Sequence, residues 1–168
     1  MKRTISLLGL SLLLPVAALA QEHKHSDGEL GSVVFPVGCN AEAQQKVNTA
    51  VAMLHSFWLP EARKTFEAAA QSDPACGIAY WGVAITHFGN PFGGGPGPEG
   101  NQAGWAAAQK AAEIGGSTPR DRAYIAAAQQ LYRNHETVDN RTRMFAYEGA
   151  LAGILANLPD DTETQIFH

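Results

Sequence analysis

The 168-residue chain reads as all-α, on three observations. It is rich in alanine and lacks the alternating β-branched runs of half-buried strands. Its apolar residues recur at spacings of three and four, which places them on one face of a helix. Helix starts are marked as well: Pro60 and Pro119 each stand at a first turn, where proline gives up only an N–H that has no intrahelical partner. The stretch from Leu54 to Gly82 reads as the end of one helix, a second helix and the start of a third, that is, a helical hairpin followed by the next.

The chain opens with an export signal. Lys2 and Arg3 precede an apolar run from Ile5 to Leu14, and Ala18-Leu19-Ala20 supplies a small-x-small cleavage site, so residues 1–20 read as a signal peptide. The run is too short to span a membrane, and no later segment approaches about 18 consecutive apolar residues. No cysteine follows the cleavage site to carry a lipid anchor. The mature protein is therefore expected outside the cytoplasm, periplasmic or extracellular. Cleavage removes two positive charges and takes the formal charge from −4 to −6. With no cluster of Lys and Arg either, a nucleic-acid partner is excluded.

Residues 21–38 read as mostly irregular, disordered to about Gly31, with Val33-Val34-Phe35 as a short apolar anchor. Residues 39–168 read as one helical domain. The first helix, about Ala41 to Trp58, aligns Val47, Val51, Leu54 and Trp58 on one stripe, with Ala50, Met53 and Phe57 beside it. The second starts at Pro60. It carries Ala62, Phe66 and Ala69 on one face and stops at Asp73-Pro74.

These residues resemble the tetratricopeptide (TPR) repeats. That family's second helix carries Ala, then an aromatic residue four later, Ala three later and Pro five later, as Ala62, Phe66, Ala69 and Pro74 do. The first helix departs from the family: Ala50 stands where glycine is preferred and Met53 where an aromatic is. The wider run from Leu54 to Gly82 is similar to the opening of secreted bacterial TPR-containing proteins of poorly defined role. The resemblance implies a right-handed α-solenoid of stacked antiparallel hairpins, about three and the start of a fourth, with a groove for a protein or peptide partner. No catalytic constellation stands out among the residues, and no cofactor is expected.

Cys39 and Cys76 are the two cysteines, one before the first helix and one after the second. A hairpin brings those ends together, so a disulfide is geometrically plausible in an exported chain. It would close a loop of about 38 residues, worth roughly 4 kcal/mol. A shared metal or free buried thiols are the alternatives, neither supported by CxxC or CxxCH spacing.

The third helix, about Ala75 to His87, carries Ile78, Trp81 and Ile85 as core. The run from Gly89 to Gly100, GNPFGGGPGPEG, is expected to be neither helix nor strand. It is not a phosphate loop, since no Lys or Arg lies between Lys64 and Lys110. It reads either as a bridge between two helices or as a mobile binding loop.

The fourth helix, about Asn101 to Ile114, stacks Trp105, Ala108 and Ala112 before Gly115-Gly116. Thr118 and Pro119 open a fifth, with Tyr124, Ala128, Leu131 and Tyr132 on its apolar side. The sixth, about Asn140 to Leu158, is expected to turn Phe145, Tyr147, Leu151, Ile154 and Leu155 inward. Asp160-Asp161 cap a seventh that runs into Ile166, Phe167 and His168. An array that stops in mid-pattern reads as truncated, its last helix fraying from about Thr162 for want of an outer cover.

Chemistry is sparse among the six histidines. No pair in the folded region has the i, i+4 spacing that sets two imidazoles on one helical face. His23 and His25 are weak copper or zinc ligand candidates, otherwise part of a solvated tail. His55 reads as a packing histidine or a binding residue. His87 with Asn90 borders the Gly/Pro loop, as a binding pair or as a histidine favoured by its helix dipole. The expectation is an exported, non-catalytic scaffold for a protein or peptide, the alternative a periplasmic metal-binding protein or metalloenzyme component using these histidines.

Overall fold

A computed structural model describes residues 30–168. The expected signal peptide, most of the irregular N-terminal segment, and His23 and His25 lie outside the described residues. All seven α-helices among them are joined by turns and loops: α1 Ala41–His55, α2 Leu59–Ser72, α3 Gly77–Phe88, α4 Pro98–Ile114, α5 Pro119–Tyr132, α6 Asn140–Asn157 and α7 Thr162–Phe167. None of the described helices is long and apolar enough to cross a membrane.

The caps explain the boundaries. Asn40 accepts from the Ala43 N–H at the start of α1, Pro60 sits in the first turn of α2, and Asp73 closes α2 just before Pro74. Thr118 and Asp121 form a capping box at α5, in which the Thr118 side chain bonds Asp121 N while the Asp121 carboxylate accepts from Thr118 N. Asp139 caps α6 and Asp161 caps α7.

Neighbouring helices pack most extensively as α3 on α4, α1 on α2 and α5 on α6. Helix α3 also touches α1, α2 and α5, so it is the central element. Its sequence, GIAYWGVAITHF, holds no Asp, Glu, Lys or Arg, as a helix covered on several sides requires. Trp81 is fully buried there. Phe35 stacks on it at 5.1 Å, Tyr124 and Phe167 meet it edge-on at 5.1 and 5.4 Å, and Phe66 at 6.2 Å. The chain before α1 is thus part of the core: Phe35 N–H donates to Asn48 Oδ1 and Gln44 Nε2 donates to the Phe35 carbonyl. Cys39 and Cys76 form a disulfide with Cα atoms 5.2 Å apart, tying the start of α1 to the start of α3.

Four sequence expectations are corrected. The first helix ends at His55 rather than Trp58, because Phe57 adopts φ +57° and turns outward, 54 % exposed instead of lying beside the stripe. The third starts at Gly77, after a turn at Pro74 and Ala75. The run Gly89–Gly100 does hold helix: Pro91–Gly93 make a 3-10 turn, and α4 begins at Pro98 with that proline in its first turn. On α6, Leu151 and Ile154 are buried but Phe145 is 60 % exposed. The inward place on that helix is taken by Arg143, which is 3 % exposed and donates to the Leu131 and Val138 carbonyls and to Asn101 Oδ1.

Helix α7 leaves Ile166 57 % exposed, and its other side meets partners distant in sequence. Its Thr164 is fully buried and shares a 2.6 Å hydrogen bond with the Tyr124 hydroxyl. Arg120 pairs with its cap Asp161 and lies 4.3 Å above the Phe35 ring.

Candidate functional site

Where α1 turns into α2, where α3 runs into the Gly/Pro loop, and where α6 and α7 approach both, the helices leave a cleft of about 810 Å³. Leu54, Phe57 and Leu59 come from the α1–α2 turn, and Ile85, Phe88 and Phe92 from the end of α3 and the loop. Met144, Phe145 and Tyr147 come from α6, with Ile166 and Phe167 from α7. This volume lies within the range of ligand pockets, and its lining is the mainly apolar kind they use.

The mouth carries exposed aromatic side chains. Phe92 is 87 % exposed and faces Phe57 across 6.5 Å between ring centroids. A bulky residue in the left-handed region is an outlier, and at Phe57 it holds the ring at the rim where a helical residue would fold it inward. Phe145 and Ile166 add two more large apolar groups that line the cleft and face water.

The loop between α3 and α4 is positioned from α6. Asn140 Nδ2 donates to the Gly94 and Pro96 carbonyls, and Asn101 Nδ2 also donates to Pro96. Gly95 lets that approach happen, since a Cβ there would sit 2.7 Å from Asn140 Nδ2, and its φ of +88° suits glycine. The loop bridges two helices and at the same time forms one wall of the cleft.

Polar groups enter at a few points. His55 lines the cleft, and its Nε2 pairs with Glu163 Oε2 at 2.8 Å, with the Phe167 ring tilted against its own at 5.2 Å between centroids. His168 faces Glu148 at 3.5 Å. At the floor, burial pushes the Tyr147 phenol well above its ordinary pKa, Tyr124 adds to the shift, and the Trp81 indole opposes it. Neither the Tyr147 hydroxyl nor the Trp81 Nε1–H has a well-formed hydrogen bond among the described residues, and both are buried.

Of the three candidate binding residues His55, His87 and Asn90, only His55 lines this cleft. Asn90 is spent on its own loop, accepting from Phe92 N. His87 accepts from the Arg63 guanidinium at 3.1 Å. Burial, then the Arg63 charge, hold His87 below its usual pKa, so it acts as a neutral acceptor there and not as a cation at a helix end. His55, His87 and Asn90 are therefore not one binding set. Ala62, Phe66, Ala69 and Trp81 are all fully buried, as packing residues should be, and Pro74 is exposed at the turn. Among the described residues, no group of three or more His, Cys, Asp or Glu side chains is placed to hold a metal ion.

The sequence reading did not anticipate Phe92, Phe145, Tyr147 or Arg141 as cleft residues. One signal was present: Phe92 is the single large apolar side chain apart from proline in the Gly/Pro-rich run Gly89–Gly100.

No protein family, curated protein or solved structure matches the chain.

Proposed function

We propose that this chain is an exported, non-catalytic binding module, a TPR-like stack of helical hairpins whose cleft receives an apolar segment of a partner protein or peptide. The observation that carries this reading is the cleft itself: about 810 Å³ of mainly apolar space with Phe57, Phe92, Phe145 and Ile166 exposed around it. Leaving so much apolar surface in water is unfavourable, and covering it with apolar groups of a partner recovers roughly 25 cal/mol per Å².

The scaffold part of the reading draws on packing order. Successive helices pack in pairs, and α3 contacts both α1 and α5, as first helices of adjoining hairpins do in stacked arrays. Phe66 presses from α2 onto α3 at Gly82, where an added Cβ would come within 2.3 Å of the ring. The disulfide and the expected signal peptide support export.

The test is an amide chemical-shift titration of the purified protein with an end-capped peptide whose core is Leu-Phe-Leu-Phe. Saturable shifts grouped on the α1–α2 turn, the Gly/Pro loop, α6 and α7 are expected. Shifts scattered over the surface, or none, would contradict the reading.

A further inference from the structure

Resting on that binding reading, we propose that the segment bound in the cleft carries a carboxylate side chain beside its apolar residues, and that Arg141 receives it. Apart from Tyr147, the ionisable side chains lining the cleft are His55, Arg141, Glu148 and His168. His55 is paired with Glu163, and Glu148 with His168. Among the described residues Arg141 has no carboxylate at ion-pair distance. Asp139, two residues before it, is occupied in capping α6 through the Thr142 N–H and hydroxyl.

The Arg141 guanidinium is instead held over the exposed Phe145 ring, 5.6 Å from its centroid. A guanidinium over an aromatic face keeps the donors along its planar edge free, and that fork matches a carboxylate in two parallel hydrogen bonds. Beside an apolar wall the charge pair forms in a lower dielectric than open water offers. On α6, Arg141 and Glu148 stand seven residues apart, about 10 Å along the helix and on the same side. The unpaired guanidinium thus stands at one end of the α6 side of the cleft and the Glu148–His168 pair at the other.

Fluorescence anisotropy with three labelled, end-capped peptides tests this. They share the Leu-Phe-Leu-Phe core and carry a flanking Glu, Gln or Lys pair. The Glu peptide is expected to bind about five- to tenfold tighter than the Gln peptide at low salt. The preference should shrink as salt is added, fall below about twofold in Arg141→Gln, and return in part in Arg141→Lys. Melting temperatures of the variants equal to that of the parent show that the fold around the cleft is intact. Equal binding of the Glu and Gln peptides, or tighter binding of the Lys peptide, overturns the carboxylate proposal and leaves cleft binding standing. Failure of all three to bind overturns both.

Discussion

At Phe66 a ring fills space that only a glycine opposite leaves open, so two small choices on α2 and α3 have to agree. Phe66→Ala is expected to cost about 3 to 5 kcal/mol, against roughly nothing for Val34→Ala, whose side chain is 74 % exposed. Denaturant titration measures both, and equal midpoints would place the core elsewhere. A second prediction concerns pH. Burial pushes the Tyr124 phenol up to about 12, its hydrogen bond to Thr164 and the Arg120 charge opposing the shift. A raised pKa in the folded state means that the folded protein favours the protonated phenol. The associated stability is full below about pH 10, the unfolded value, and is lost as pH rises towards 12. Tyrosinate absorbance should therefore lag that of the denatured chain through this interval, and coincident curves would show Tyr124 open to solvent. Ala62, Phe66 and Ala69 were readable from spacing because helix periodicity reports which face is inside. Phe57 and Phe145 were not, since the same periodicity does not say where a helix stops or that an arginine takes the inward place.

At the scale of elements, proline and cap residues carried the boundaries. Pro60, Thr118-Pro119 and Asp161 start helices where the sequence rules place them. The same rule applied at Pro98 marks the start of α4, and it was masked by the glycines around it. The disulfide was legible from its position at adjoining hairpin ends. Reduction should lower stability by roughly 4 kcal/mol on the chain-entropy account, and a denaturation midpoint unchanged by reductant would contradict it. The contacts that α7 makes were not legible, because they depend on partners distant in sequence: Glu163 on His55, Asp161 on Arg120, and Phe167 against Trp81. Burial pushes the Asp161 carboxyl up, but the hydrogen bonds from Arg120 and Thr164 together with the Arg120 charge outweigh it and hold it below the usual range. Its contribution is therefore present above about pH 4 and lost as pH falls through the depressed value. Asp161→Asn should flatten the acid limb of the stability profile and speed amide exchange in α7; an unchanged limb would assign acid sensitivity to other groups.

For the whole molecule, the fold class was legible and the cleft was not. Alanine content, apolar periodicity and helix starts report local structure, and together they sum to an all-α chain. The cleft is built from the α1–α2 turn, the Gly/Pro loop, α6 and α7, segments that tertiary packing alone brings together. Its chemistry follows from that assembly: mainly apolar walls, exposed rings at the mouth, and, among the described residues, one guanidinium without a carboxylate. Filling the cleft tests its role most directly. Ile85 lines it from α3 and is half-buried, so Ile85→Trp adds bulk toward the open space while the fully buried layer around Trp81 is left as it is. Calorimetric titration of the Leu-Phe-Leu-Phe peptide into both proteins should show affinity weakened about tenfold or more in Ile85→Trp, with the melting temperature held. Equal affinity in the two would contradict the account.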